Sequence, residues 1–207
     1  MKILVGVPCY DMVEAVFADS MDAAVKCNHQ VEVFRMRKSN TPSARNKMVD
    51  YALEHDFSHI LWLDTDMVHP AGTLMRLLSH GVNIVGGLYC MARDRFVPCA
   101  FKLTPDFKYG VVWYRIGDGI QEVDAIGTGC LLVDTNVFKV IPPPWFNYSP
   151  VGGGSSGLYT EDFYFCELAR KHQFKIYLDP DVRCGHVGKV LIYPDDTDAP
   201  EVKTIML

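Results

Sequence analysis

Long hydrophobic runs are missing from this sequence of 207 residues. Its purely apolar stretches last only a few residues, far short of the ~20 that a membrane-spanning helix needs. The opening segment, residues 1–8, is too short and too broken for a secretory leader and reads as a first strand. No C-x-x-C occurs among the seven cysteines, whose number is odd and whose spacing is wide. That argues against a disulfide framework and a zinc knuckle, and points to a reducing, cytoplasmic setting. There is no internal repeat, and no low-complexity segment beyond residues 152–157. A strong charge of either sign is lacking too. The 20 basic and 25 acidic side chains leave a formal −5, which disfavours a general nucleic-acid coat but not a local basic patch.

What is there is ordinary for a globular chain: 49% hydrophobic and 22% charged residues. That composition excludes collagen-like, disordered and coiled-coil classes. A chain this long buries roughly 70% of its unfolded surface, enough for a full core. The first third alternates strand and helix. Strands are expected at residues 3–7, 30–34, 59–63 and 83–87. Between them fall a helix on Val13, Val16, Phe17, Ser20 and Ala24 and a helix capped by Ser43 with Ala44, Met48, Tyr51, Ala52 and His55 inward. A further helix runs from Pro70 through Leu78, closing near Gly81. This rhythm implies an α/β domain with a mainly parallel sheet covered by helices. The second half changes character. Hairpin strands are expected at 96–102 and 111–116, strands at 130–133 and 175–178, and a helix at 161–172. Residues 195–207 read as a tail or flap.

Asp64-Thr65-Asp66 follows directly on the apolar strand 60–63. Carboxylates two apart in an extended segment point the same way. At the C-terminal edge of a parallel sheet they face the crevice where α/β proteins bind ligands. Two hard oxygens there suit Mg²⁺ or Mn²⁺, against the plainer alternatives of a solvated strand end or a helix cap. The motif alone is weak, because Asp179/Asp181 and Asp196/Asp198 repeat it. The former reads as a turn and the latter as polar surface.

Thr160-Glu161-Asp162 starts a helix in which Thr160 can be the N-cap and the two acids suit the helix dipole. Asp162 also shares a stripe with Phe165, Cys166 and Ala169, so its carboxylate leans toward the core-facing side. Held at a pocket rim, such a group can deprotonate a hydroxyl. His186, between Gly185 and Gly188, is either a packing residue or a third ligand beside the two aspartates. A nitrogen donor would tilt the choice toward Mn²⁺. Cys184 next to it invites zinc, but no second Cys/His pair completes such a site.

Other features are less specific. Gly152–Gly157 matches G-x-G-x-x-G without a strand before it, so it reads as a lid hinge or a surface loop and not as a dinucleotide fingerprint. Arg35, Arg37, Lys38, Arg45 and Lys47, with Arg93, Arg95 and Lys102, are solvated charge or contacts to donor phosphates or an anionic acceptor. Trp113, Tyr114, Trp145, Phe146 and Tyr148 are core residues or stacking surfaces, with the loop 145–148 the better stacking candidate.

In order along the chain stand Pro8-x-Tyr10, Ala44-Arg45-Asn46, Asp64-x-Asp66, Gly127-Thr128-Gly129, Glu161-Asp162 and His186. This series resembles the glycosyltransferases of the GT-A fold, closest to the family 2-like group, over about residues 1–190. The resemblance implies a single GT-A (nucleotide-diphospho-sugar transferase, Rossmann-like) domain at 1–190, followed by 191–207 as tail or flap. A smaller antiparallel sheet would lie on the acceptor side. It further implies that Pro8, Tyr10 and Asp11 border a nucleoside pocket and that Arg45 approaches the nucleotide or its diphosphate. Asp64, Asp66 and His186 would hold Mn²⁺ or Mg²⁺, with Asp66 the more direct ligand. Gly127 and Gly129 would flank the acceptor, and Asp162 of the pair Glu161–Asp162 would be the general base. The expected partners are a nucleotide-sugar donor, UDP-linked by preference, and an acceptor that is a glycan, a small molecule or a hydroxymethylated base in DNA. No Q-x-x-R-W follows Asp162, which departs from the processive members and argues against polymerisation. Two other readings stay open: a nucleotidyltransferase, although Pro8-Cys9-Tyr10-Asp11 lacks its glycine-rich first loop, and a non-catalytic binder of nucleotide sugars.

Overall fold

The computed structural model describes residues 1–91, 97–106, 108–148 and 160–188, and the backbone of 190–194 and 202–206. The chain runs β1 (Lys2–Pro8), α1 (Ala15–Val25), β2 (Gln30–Met36), α2 (Thr41–Glu54), β3 (His59–Leu63), β4 (Met67–Val68), α3 (Thr73–Ser79) and β5 (Ile84–Leu88). It continues through β6 (Ala100–Leu103), β7 (Tyr109–Val111), β8 (Gln121–Val123), β9 (Ala125–Ile126), β10 (Cys130–Asp134), α4 (Thr135–Val140) and α5 (Glu161–Lys171). It ends with β11 (Ile176–Arg183), β12 (Gly185–Val187), β13 (Val190–Pro194) and β14 (Val202–Met206).

Seven strands form the central sheet in the order β2-β1-β3-β10-β5-β11-β8. β1 runs parallel to β2 and β3, and β5 parallel to β11. β10 is antiparallel to both of its neighbours, and β8 is antiparallel to β11. The period of two along each strand sorts side chains into two cores. Leu4, Ile60, Trp62, Leu131 and Val133 face α2, α4 and α5, packing on Met48, Phe138 and Phe165. Ile3, Val5, Leu61, Leu63 and Leu132 face α1 and α3, packing on Phe17, Met21 and Leu74. The sheet is thus apolar on both faces, as a helix-covered sheet requires. Each fully buried Leu, Ile or Phe contributes about 1.5–3 kcal/mol.

Several local expectations change. The first helix buries Phe17, Met21 and Ala24, while Val16 is exposed. The stripe one residue along wins because it meets the sheet. Asn40, not Ser43, caps α2: its side chain accepts the Ser43 N–H at 2.9 Å, and Pro42 sits in the first turn. Asp179 is no turn residue. It lies within β11, fully buried, and receives Arg76 at 2.6 Å and His80 at 2.7 Å. Within the segment expected as a tail or flap, Val202–Met206 is a strand paired with β13. The expected hairpin strands are shorter and displaced: β6 starts only at Ala100, and β7 shares only Val111 with the expected 111–116. Arg93, Arg95, the glycine run 152–157 and Asp196/Asp198 lie outside the described residues. Among the described residues no helix is long and apolar enough to cross a membrane.

Candidate functional site

Two segments, the turn after β3 and the start of α5, bring four carboxylates to the edge where β3 ends. Asp64, Thr65 and Asp66 form the turn between β3 and β4. The segment is not extended, so the two acids meet different partners. The Asp64 N–H donates to the Gly129 carbonyl at 3.1 Å, tying the turn to the start of β10. The Asp64 carboxylate accepts Arg45 Nη2 at 2.8 Å. Asp66 turns the other way, with Oδ2 at 3.3 Å from His186 Nε2.

Arg45 is the centre of the cluster. α2 delivers it under Asp64, and its side chain is only 1% exposed. The guanidinium lies 5.4 Å from the Trp62 ring centroid and 5.9 Å from that of Phe146, a cation–π setting. Nε stands 3.5 Å from Glu161 Oε1, and neither Nε nor Nη1 has a hydrogen-bond partner. Burial by itself would lower its pKa, but Asp64 and Glu161 outweigh that and hold it charged. Arg45 therefore braces the acids from below. The approach to a diphosphate implied by the sequence does not fit a side chain so enclosed.

Glu161 and Asp162 open α5. Burial pushes both carboxyls above their ordinary range, and Arg45 partly opposes it. Thr160 is the N-cap residue but makes no side-chain cap bond. Its hydroxyl donates instead to Asp162 Oδ1, which also accepts the Phe163 N–H at 2.9 Å. Both bonds fall on the same oxygen.

The His186 ring has a defined proton. Nδ1 lies 2.9 Å from the Cys90 carbonyl, which can only accept, so Nδ1 carries the hydrogen. Nε2 then points its lone pair, or a second proton, at Asp66. That is the second-shell arrangement of a metal-ligating histidine. Asp66 and His186 thus meet at the start of β4, while Asp64 faces Arg45, so the three expected metal ligands do not close into one cluster here.

Gly127 and Gly129 are buried and do not line an open surface. Their missing side chains serve Tyr89. A Cβ on Gly127 would land on the Tyr89 hydroxyl, and one on Gly129 would come within 3.0 Å of its ring. The Tyr89 hydroxyl accepts the Gly129 N–H at 3.2 Å. The glycine turn thus packs the site from behind.

A cleft of about 320 Å³ opens at the end of β1, lined by Pro8, Cys9, Tyr10, Lys38, Thr41 and Tyr148 among others and by none of the four acids. Thr41 is one helical turn from Arg45 on the same face of α2. Tyr10 is 74% and Tyr148 49% exposed, so both rings are open to a ligand. Asp11 is exposed but does not line the cleft. Trp145 and Phe146 are buried, not stacking surfaces. Asn46 staples their loop to α2, donating to the Phe146 carbonyl at 2.8 Å and accepting the N–H groups of Trp145 and Phe146 at 3.0 and 3.1 Å. Sequence reasoning missed this role of Asn46, and missed Tyr89. For Asn46, only its place beside Arg45 was a signal.

The Anp1 family model matches residues 10–93. Comparison with curated proteins gives no match. Among solved structures, the chain resembles the crystal structure of A197 from STIV with a TM-score of 0.66 and 18% identity, over 99% of this chain and 94% of that one. It resembles S. aureus TarS with a TM-score of 0.54 and 15% identity. That likeness covers 87% of this chain but only 35% of TarS. The shared architecture is a GT-A-type α/β fold. The narrower likeness to family 2 rests on the sequence motifs alone.

Proposed function

We propose that this chain is a metal-dependent glycosyltransferase, moving a sugar from a nucleotide donor to an acceptor hydroxyl. The observation that carries the reading is the charge pattern. Asp64, Glu161 and Asp162 gather around Arg45, and Asp66 from the same turn as Asp64 meets His186. So acidic a site repels a bare diphosphate and accommodates one only together with a cation. Asp66 and His186 would hold that ion, Mn²⁺ in preference to Mg²⁺ because of the nitrogen donor. Bound there, it would neutralise charge on the leaving diphosphate.

The chain's own side chains supply the rest. Tyr10 and Tyr148 offer open ring faces to a nucleoside base, and Lys38 offers a cation at the cleft rim. Asp162 takes the proton from the acceptor hydroxyl as its oxygen attacks C1 of the sugar and the bond from C1 to the diphosphate breaks. Direct displacement of this kind inverts the anomeric carbon. A carboxyl raised by burial suits a general base better than a fully solvated one. Thr160 fixes its orientation, and Arg45 holds Glu161 and Asp64 in place around it. The acceptor is a glycan, a small molecule or a modified DNA base, the last disfavoured by the −5 net charge.

The test is release of nucleoside diphosphate from UDP-, GDP- and TDP-sugars, with Mn²⁺ and with EDTA, over pools of acceptors. Metal-dependent release from one donor is expected. Asp162→Asn should lower turnover by about 10²–10⁴-fold and leave calorimetric donor affinity unchanged. An equal loss of donor binding would overturn the base assignment. Release of pyrophosphate would point to nucleotidyl transfer, and binding without turnover over the whole panel to a binding module.

A further inference from the structure

Behind the acid cluster, the fold buries a second set of ligating side chains. His69 follows β4, Cys130 opens β10, and Cys184 joins β11 to β12. His69 is 3% exposed and both cysteines 0%. One ring nitrogen and the two Sγ atoms all lie within 4.8 Å of one another. Their surroundings are apolar, including Leu63, Met67 and Val182. Neither ring nitrogen of His69 has an oxygen or nitrogen partner, and the ring faces the Cys130 thiol. A buried imidazole left so is costly, and here one of its nitrogens faces two sulfurs.

The backbone builds this meeting point. β4 and β12 pair with Gly185 opposite Val68 and His186 opposite Met67. Carried one step further, that register sets Cys184 opposite His69. Gly87 of β5 closes in from another side: a Cβ there would stand 3.1 Å from Cys130 Sγ and 2.9 Å from the Val182 carbonyl.

We propose that His69, Cys130 and Cys184 form a buried structural site for a soft divalent ion, zinc, distinct from the Asp66–His186 site. Two sulfurs and an imidazole suit zinc and reject Mg²⁺ or Ca²⁺, which take oxygen ligands. Charge decides further. As the two metal–sulfur bonds form, two thiol protons leave to solvent. The two thiolates then cancel the charge of the ion, and a neutral imidazole adds none. A neutral complex is what an apolar core tolerates. The fourth tetrahedral position is left to a small ligand such as a backbone carbonyl or a trapped water. Such an ion would tie together the segments that carry Asp66, the 127–129 turn and His186. Because the three ligands are far apart in the chain, no sequence motif announces them.

The test uses the full chain, purified under a reductant, loaded with Zn²⁺ and dialysed against EDTA. About one zinc per chain should be retained. Asp66→Ala should keep it, whereas the double substitution Cys130→Ser/Cys184→Ser should lose it by about tenfold or more. In case that variant fails to fold, Co²⁺ is titrated into the native reduced chain, where a thiolate-to-cobalt charge-transfer band is expected. No retained zinc together with no such band would overturn the proposal. So would zinc that follows Asp66 and ignores the cysteines. An intact mass lower by two hydrogens, with two fewer titratable thiols than the seven free cysteines, would overturn it in favour of a Cys130–Cys184 disulfide.

Discussion

Replacing Arg45 by methionine keeps most of its apolar contact with Trp62 and Phe146 and removes only the charge. Asp64 and Glu161 would then stand without their common cation, with Glu161 only 12% exposed. Removing one partner of a buried ion pair costs about 3–5 kcal/mol. For a chain of this length, about 2–4 °C per kcal/mol turns that into a Tm lower by roughly 6–20 °C. The loss should depend on pH. Glu161 and Asp162 already have folded-state pKa values above their ordinary 4.5 and 3.8 because of burial, and Arg45 pulls both down. Without it they rise further. An acid with a raised folded pKa destabilises the fold when ionised, and the penalty fades as pH falls through that value toward the unfolded one. The gap between native and variant should therefore be widest near pH 8 and narrow toward pH 4.5. Thermal melts followed by near-UV circular dichroism, in EDTA across that range, measure it. A gap under about 2 °C at neutral pH, or one that does not change with pH, would refute the account of Arg45 as the brace of the acids.

Asp179→Asn tests the buried pair on the far side of the sheet. Burial raises the Asp179 carboxyl, but Arg76 and His80 more than offset it and hold it below 3.8. Its stabilisation is therefore full above about pH 4 and lost as pH falls through the lower folded value. Solvent screens the half-exposed Arg76, so the variant should lose about 2 kcal/mol at pH 7 and less at pH 3.5 in urea melts. A constant difference would contradict the assignment. Asn46→Ala removes three bonds to the 145–146 backbone and should cost about 3 kcal/mol, visible as a lower thermal midpoint. An unchanged midpoint would show that the loop does not depend on the staple. Gly127→Ala should destabilise by driving a Cβ into Tyr89, and adding Tyr89→Ala should recover part of the loss. Strict additivity in that double-mutant cycle would disprove the contact.

Periodic segments were legible from the sequence. The strand His59–Leu63 and the helix beginning at Glu161 fall where apolar spacing places them. Position along a stripe was less so: Val16 and Phe17 both fit a helical period, and only contact with the sheet buries the second. Asp64, Asp66, Glu161, Asp162 and His186 could be singled out because each follows a local signal. Their mutual geometry could not, since it depends on Arg45 passing beneath them and on the β3–β4 turn separating the two aspartates. His69, Cys130 and Cys184 show the limit most clearly. Each looks isolated in the chain, and only strand pairing brings them together.

The direction of β10 has a topological consequence. In an all-parallel sheet, the connection that enters a strand arrives at the edge opposite the ligand crevice. β10 runs against β3 and β5, with Cys130 beside Leu63 and Leu131 beside Gly86. It therefore begins where β5 ends. The chain between them leaves β5 and enters β10 on the same side of the sheet, the side where β3 ends at Asp64. Among the described residues, only β8 of that connection is tied into the central sheet, against β11, so length can change on either side of β8 and reshape the rim of the crevice while the registers of the other six strands stay as they are.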